Sequence, residues 1–262
     1  MTERHTEPEV VATLTALAGG AELDDAGAAV LAGSPVTDVA DGARLQLEVL
    51  RRLEAGGAAR GGWKIGWTSR GARDDAGADG ARPFGYVLAD RVLPSGSRLD
   101  LGAIPSCRLE PEIALVMGAA LSGPDVTPEE ARAAVRAVAP AFEVNSSRLR
   151  PGLSMAVRIG NSLNNWGIVV GPEQDPDLPL DALHVEMRAD GEVVSSGSSG
   201  PDVLDDPFLS LSRVVATLTG HGIALEPGQT LITGSLTAPL PVSAGVTYEA
   251  TFRPLGSVSV RC

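Results

Sequence analysis

Three glutamates in two strand-like segments have the types and spacing of a metal site. Glu110 and Glu112 are two residues apart in RLEPEIALVM, and alternate residues of a strand project from the same face. Glu143 lies in a second apolar run, APAFEVN, where a buried carboxylate needs a cation or a donor. Three carboxylates with water or substrate oxygens suit Mg²⁺ or Mn²⁺. The spacing is equally typical of an amphipathic strand with solvent-facing glutamates, so the pattern alone leaves both interpretations open.

Lys64, in the segment GGWKIGWTS, is a second candidate because it is the only lysine of the chain. The remaining basic residues are all arginines, a bias that indicates the base composition of the coding DNA. Ordinary surface positions accept either cation, so a retained lysine favours a chemical role, with chance retention as the alternative. The flanking Trp63 and Trp67 are interpreted as core residues.

Charge and composition exclude several classes of function. The formal net charge of −12 over 262 residues disfavours nucleic acid and anionic lipid surfaces as partners. No apolar run is long enough for a membrane span, and the N-terminal segment lacks the apolar core of a signal peptide. Two cysteines, Cys107 and Cys262, do not make a disulfide framework, so we expect a reduced, cytoplasmic protein.

The elements that must position these residues fall into two regions. Residues 1–60 show apolar residues at helical spacing, interrupted at Gly19-Gly20 and ended at Gly56-Gly57. In residues 61–262, short apolar runs alternate with Gly, Pro and Asp, a pattern typical of strands. We therefore predict an α+β fold, in which a helical N-terminal region precedes a β-rich catalytic domain built as a barrel or a sandwich.

Two helices and one hairpin are predicted inside the β-rich region. The helices cover 127–138, which opens with a capping box from Thr127 to Glu130, and 206–222. Asp190-Gly191 is a strong hairpin turn. Pro111 has no backbone N–H, so it predicts an edge, a strand start or a bulge next to the glutamates.

An ordered set of motifs resembles one enzyme family. In chain order the motifs are WKIGWTS, FGYVLAD, LEPEIALVM, PAFEVNSSR, LITGSLTAPLPVSAG and PLGSVSV. Together they resemble the hydratase/decarboxylase family of meta-cleavage catabolism of aromatic compounds, a branch of the fumarylacetoacetate hydrolase superfamily. The resemblance covers nearly the whole chain. It implies helices followed by a mixed, barrel-like β domain, small 2-oxo or 2-hydroxydienoic acids as substrates, and a homo-oligomer that can associate with a pathway hydratase.

The resemblance also implies roles for individual residues. Glu110, Glu112 and Glu143 match the metal ligands for Mg²⁺ or Mn²⁺, and Lys64 matches the active-site lysine. Three carboxylates around a dication leave one excess negative charge, which an ammonium beside them offsets. The reaction is then expected to pass through an enolate held at the ion. The predicted substrate-binding residues are Thr68, Ser69, Arg148, Asn164 and Thr237. Thr68 and Ser69 are equally expected to cap the loop, and Arg148 to form a structural ion pair.

Departures from the family pattern favour one branch and leave the substrate open. Pro83 stands where the hydratases place an aspartate beside the lysine, and Thr237 fits the decarboxylase version of its segment. Ser162-Leu163 replaces an Asp-Asn pair, for which Asn161, Asn164 or Asn165 could substitute, and Asp205-Asp206-Pro207 replaces Gly-His-Pro. We therefore predict a decarboxylase first, a hydratase or C–C hydrolase second, and a catalytically silent partner subunit third.

Overall fold

The computed structural model describes residues 7–71 and 82–262, and its N-terminal region is helical as predicted, with three helices. The helices of the described chain are α1 (Glu7–Ala18), α2 (Asp25–Ala32), α3 (Val39–Ala55), α4 (Pro128–Ala134), α5 (Met155–Gly160) and α6 (Pro207–Gly220). The carboxylate of Asp24 accepts from Gly27 N at the start of α2, and that of Asp38 accepts from Asp41 N at the start of α3. These N-caps satisfy backbone donors that the first helical turn leaves without partners.

The predicted helix over 127–138 is only half right. Its capping box forms, with Thr127 and Glu130 bonded to each other's backbone N–H groups. The helix ends at Ala134, and Val135 begins a long strand. Val135 and Val138 are β-branched, and the segment pairs with the strand that carries Glu110. Sheet pairing and burial therefore override the helical periodicity there.

Thirteen strands are assigned in the described residues, and most follow the predicted runs. They are β1 (Arg60–Ile65), β2 (Phe84–Leu88), β3 (Val92–Pro94), β4 (Ser97–Arg98), β5 (Cys107–Met117), β6 (Val135–Ser146), β7 (Asn165–Val170), β8 (His184–Ala189), β9 (Glu192–Ser198), β10 (Thr230–Ser235), β11 (Leu240–Pro241), β12 (Thr247–Arg253) and β13 (Gly256–Arg261). One-turn 3-10 helices lie at Ala89–Arg91 and Ser162–Asn164. Asp190-Gly191 forms the hairpin turn between β8 and β9, and both residues have positive φ.

The strands form two mixed sheets, and neither closes into a barrel in the described part of the chain. The large sheet has the order β2-β1-β10-β5-β6-β7-β3, with β11 beside β5, and the small sheet has the order β4-β13-β12-β8-β9. β1 and β10 are parallel, whereas β5 is antiparallel to both β10 and β6. The expectation of a closed barrel is therefore wrong. β2 and β3 are the edge strands of the large sheet, and the three-residue β3 pairs with β7 alone.

Pro111 lies in a central strand and not at an edge. Its nitrogen, which has no hydrogen to donate, lies on the side of β5 where the partner strand changes from β10 to β11. Its carbonyl on the same side accepts from Leu236 N. The register of β10 against β5 shifts between Ile232 and Ser235 at the same level. Of the three predicted contexts for this proline, the sheet irregularity is the one observed.

The helices and both sheets share one hydrophobic core. Buried residues of α1 and α3, such as Leu14 and Leu45, belong to the same cluster as Trp63, Phe142 and Phe252. A smaller cluster on the other face of the large sheet contains Ala114, the residue that continues the glutamate side of β5. Within the described ranges, no helix combines the length and the apolar character needed to cross a membrane.

Candidate active site

The pairing of β5 with β6 brings the three glutamates together. Glu110 lies directly opposite Glu143 in the antiparallel register, and Glu112 lies two residues further along the same face of β5. One carboxylate oxygen from each residue lies within 4.8 Å of the others. Glu112 and Glu143 are buried, with 1% and 0% of their surface exposed, whereas Glu110 is half-buried at the open side. The three acids therefore converge on one point from two adjacent strands.

Each carboxylate is oriented by a donor from the surrounding structure. Asn145 Nδ2 donates to Glu110 at 2.5 Å, and Asn165 Nδ2 donates to Glu143 at 2.8 Å. The backbone N–H of Gly234 donates to Glu112 at 2.6 Å. Donors of this kind fix the direction of a ligand oxygen, which is how surrounding groups tune metal sites.

The electrostatics of the three acids fit a divalent cation. Burial, reinforced by the charge of Glu143, raises the pKa of Glu110 to about 7. The same causes, with the added charge of Glu110, raise the pKa of Glu112 well above its ordinary value. Buried like charges oppose one another's ionisation, and a bound dication removes that opposition. The all-oxygen donor set matches the preference of Mg²⁺, Mn²⁺ or Ca²⁺.

Lys64 lies beside the glutamates because β1 is hydrogen-bonded to β10. Its Nζ donates to Glu143 Oε2 at 2.7 Å and to the carbonyl of Leu163 at 3.5 Å. The side chain is 13% exposed. Burial acts to lower the pKa of Lys64, but the summed charges of the three glutamates outweigh it and raise that pKa. The glutamate charges therefore favour the protonated form of Lys64 in the absence of metal.

A cleft of about 300 Å³ opens over these groups. Besides Lys64, Glu110 and Glu112, it is lined by Trp67, Thr68, Ser69, Leu163, Gly234 and Ser235. Trp63 lies in the core as expected, with 0% exposure. The prediction of a core position is wrong for Trp67, whose half-buried side chain faces this cleft. The cleft is large enough for a small organic acid and is polar at its base.

Two cleft walls use backbone that L-residues rarely adopt. Trp67 has φ of 55°, and Ser162, Leu163 and Asn164 have φ of 53°, 53° and 65°. Left-handed conformation costs an L-residue roughly 1–2 kcal/mol, so the three successive residues of the turn that carries Leu163 need external support. Ser162 Oγ donates to Tyr86 O at 2.8 Å, and the absent Cβ of Gly85 leaves room for the turn. The turn is thus fastened to β2.

The predicted substrate-binding residues divide into two groups. Thr68 and Ser69 line the cleft, and Thr68 packs against Gly234. Arg148 lies elsewhere: its guanidinium donates to the carbonyls of Leu17 and Asn165, and it has no carboxylate partner among the described residues. Burial, aided by Arg91, lowers the pKa of Arg148 to about 10. It therefore ties α1 to the start of β7, and the expected ion pair is wrong.

Asn164 and Thr237 also lie outside the cleft lining. Asn164 Oδ1 accepts from Asn161 Nδ2 at 3.2 Å, so its side chain braces the turn. Thr237 closes a small turn with Ser235, whose Oγ donates to the carbonyl of Thr237 at 2.8 Å. Of the three asparagines considered for the missing Asp-Asn pair, Asn165 is the one bonded to the triad.

Asn145 was missed by sequence reasoning, although a signal for it exists. It follows Glu143 by two residues in the same strand, so alternation puts both on one face. Leu163 and Gly234 carried no comparable signal, because their roles depend on backbone conformation.

Comparison with known proteins identifies the family. Residues 72–261 match the family described as fumarylacetoacetate (FAA) hydrolase, C-terminal. The chain belongs to the fumarylacetoacetate hydrolase family. A 4-oxalocrotonate decarboxylase of Pseudomonas sp is 33% identical, with 87% of this chain and 89% of the relative covered. The 2-hydroxyhexa-2,4-dienoate hydratase of Comamonas testosteroni is 29% identical, with 87% and 90% covered.

Solved structures of the fumarylacetoacetate hydrolase family agree with the fold. The 4-oxalocrotonate decarboxylase from Pseudomonas putida G7, complexed with magnesium and adipate, superposes with a TM-score of 0.83 at 27% identity, covering 99% of both chains. A second structure of that enzyme holds calcium and acetate. Both structures of the Pseudomonas putida G7 enzyme contain a divalent cation together with a carboxylic acid.

Two positions at which the sequence was expected to depart from the family pattern, Pro83 and Asp205, lie near the cleft. Pro83 presents its carbonyl to Gly66 N at 2.7 Å and offers no acid to Lys64. Asp205 pairs with the buried guanidinium of Arg82, and its backbone N–H donates to Thr68 O at 2.8 Å. The second departure therefore supports the cleft segment that contains Thr68.

Proposed function

We propose that this chain is a divalent-metal-dependent lyase that removes CO₂ from a small 2-oxo or 2-hydroxydienoic acid, in the manner of a 4-oxalocrotonate decarboxylase. The observation that carries the proposal is the convergence of Glu110, Glu112 and Glu143 beside one partly buried ammonium, Lys64, at the base of a cleft. Mg²⁺ is the proposed ion, with Mn²⁺ as the alternative.

The three glutamates would hold the cation, which supplies Lewis acidity towards the substrate's 1-carboxylate and 2-oxo group. Asn145, Asn165 and Gly234 N keep the glutamate oxygens aimed at one point. With three carboxylates, one ammonium and one dication, the site has no net charge. The ammonium of Lys64 would stabilise the negative charge that develops on the substrate and would donate a proton to the substrate.

Decarboxylation is favoured over hydration by what surrounds Lys64. Its carboxylate neighbours among the described residues are the three glutamates themselves, and Pro83 provides no further acid. The relative at 33% identity is a decarboxylase. Hydration of a dienoic acid is the second candidate, because the hydratase relative covers the chain equally well. We place the enzyme in aromatic catabolism in the cytoplasm, as a homo-oligomer that can associate with a pathway hydratase.

The deciding experiment incubates the full chain with 2-hydroxymuconate or 4-oxalocrotonate and measures CO₂ release with Mg²⁺, with Mn²⁺ and with EDTA. Mg²⁺-dependent CO₂ release is the expected result. Water addition to 2-oxopent-4-enoate without CO₂ release from the diacid would make the protein a hydratase. Mg²⁺ binding by calorimetry without turnover of any of these compounds would count against both proposed activities on these substrates and would favour the silent partner subunit.

A further inference from the structure

The strained turn at Ser162–Asn164 has a consequence for what the cleft admits. Three successive non-glycine residues in left-handed conformation are held in place by Ser162 Oγ on Tyr86 O and by Asn164 on Asn161. Strain of this kind persists only where the surrounding structure enforces it, and it clusters at functional sites. The question is what the turn delivers to the cleft.

The turn delivers the side chain of Leu163. This leucine lines the cleft, and its Cδ1 lies so close to Gly66 that a Cβ there would approach it to 2.9 Å. Its carbonyl accepts from Lys64 Nζ at 3.5 Å, and its isobutyl group lies against Gly66, two residues along the chain from Lys64. Trp67, also left-handed, lines the same cleft. The cleft that contains Lys64 is thus lined by two large apolar residues with left-handed backbone.

An apolar border matters because two reactions compete for similar substrates. In CO₂ loss, the bond between the departing carboxylate carbon and the chain breaks, and its electron pair moves through the conjugated chain to the 2-oxo oxygen, which takes a proton. In hydration, a water molecule supplies a hydroxyl to one carbon and a proton to a neighbour. Only the second reaction needs a water molecule placed against the carbon chain, and a water needs two to four polar partners.

We propose that Leu163 is a specificity-determining residue: the left-handed turn holds its side chain beside Lys64 as an apolar wall that excludes water and selects CO₂ loss over hydration. The inference rests on the proposed function, since it concerns the products of the same site. The polar side chains of the turn do not offer a water molecule a partner beside Leu163, because Ser162 bonds to Tyr86 O and Asn164 bonds to Asn161.

The test substitutes Leu163→Asn and measures the ratio of hydrated to decarboxylated product from 4-oxalocrotonate, together with the rate of water addition to 2-oxopent-4-enoate, at saturating Mg²⁺. Asparagine tolerates positive φ and offers the polar partners that a water needs. We expect the ratio to rise at least about tenfold, which corresponds to about 1.4 kcal/mol between the two barriers. Leu163→Met, which keeps an apolar side chain, should leave the ratio unchanged. The ratio reports on active molecules alone, so partial unfolding does not distort it.

The outcomes separate this inference from the proposed function. If the unaltered protein releases CO₂ and Leu163→Asn gives the same product ratio as the unaltered protein, the side chain of Leu163 does not select the reaction. The inference is then wrong. If Leu163→Asn is inactive, Leu163→Gly decides, since glycine accepts the turn and removes the wall; an unchanged ratio or loss of both reactions there overturns the inference. Failure of the unaltered protein to release CO₂ counts against the proposed function instead.

Discussion

The glutamates and the walls of the cleft are built from opposite kinds of backbone. Glu110, Glu112 and Glu143 stand on two long, regularly paired strands, and their convergence follows from alternation and register. Trp67 and Leu163 stand on short irregular segments with positive φ. The difference indicates a division of labour: regular pairing places the groups that hold a cation, and strained backbone shapes what reaches them.

The largest expected effect comes from Glu112→Gln, which removes one of the three carboxylates carried by the regular strands. Glutamine keeps the shape and can still accept from Gly234 N, but it removes a ligand charge. We expect Mg²⁺-dependent activity to fall roughly 10³-fold, since a bound cation supplies several kcal/mol of charge stabilisation. The metal-free variant should be more stable than the unaltered protein, because one of three mutually repelling buried acids is gone.

Kinetics at varied Mg²⁺ concentration measure the expected loss of activity. Denaturant unfolding in EDTA measures the expected gain in stability. Glu173→Gln is the matched control, because Glu173 is exposed and pairs with Arg136 far from the triad. Unaltered Mg²⁺-dependent turnover in Glu112→Gln would remove this glutamate from the proposed site.

Lys64→Arg should have the next largest effect. The guanidinium is bulkier than the ammonium and does not give up its proton, and the site beside Glu143 is bordered by Leu163. We expect kcat to fall about 100-fold or more, with Mg²⁺ affinity within a few-fold of the original. Arg60→Lys, the reverse exchange on the same strand, is the control. Activity of Lys64→Arg equal to that of the original protein would make the lone lysine a coincidence of coding composition.

The pH dependence of metal binding should be smaller and graded. The folded protein holds the pKa of Glu110 at about 7, above the ordinary value of 4.5. The bound proton therefore stabilises the metal-free fold fully below about pH 4.5, and this stabilisation is lost as the pH rises through about 7. Mg²⁺ must displace that proton, so its affinity should rise up to about tenfold per pH unit below pH 7 for each proton displaced.

Isothermal titration with Mg²⁺ across this range, alongside thermal unfolding with EDTA and with Mg²⁺, measures both effects. In EDTA we expect the protein to lose stability as the pH rises. With saturating Mg²⁺ we expect this loss of stability to disappear. An affinity that does not change with pH would mean that Glu110 is already ionised without the metal.

The same division explains how much could be predicted from the sequence. Alternation put Glu110 and Glu112 on one face, and the Asp190-Gly191 turn was predicted, because both features depend on neighbours in sequence. The approach of Glu143 and Lys64 was expected from family resemblance, since no local pattern specifies which strands pair. Leu163 could not be predicted as a wall, because a leucine with φ of 53° contradicts its own local preference and depends on contacts with β2.

The smallest expected effect comes from relieving left-handed backbone strain at a position outside the cleft. Ser106 is exposed, has φ of 50°, and directly precedes β5, the strand of Glu110 and Glu112. Ser106→Gly should stabilise the protein by at most about 1 kcal/mol, because relief of the left-handed conformation is partly offset by the greater freedom of glycine in the unfolded chain. Ser122→Gly, at an exposed serine without positive φ, should destabilise slightly.

Neither serine substitution should change the product ratio that Leu163→Asn is expected to change. Denaturant unfolding and product analysis of the two variants measure this directly. If Ser106→Gly altered the ratio, then strain would act on the reaction through the strands as well as through the cleft walls. The regular strands and the strained segments would then not have separate roles, because left-handed strain outside the cleft would influence catalysis through β5, the strand of Glu110 and Glu112.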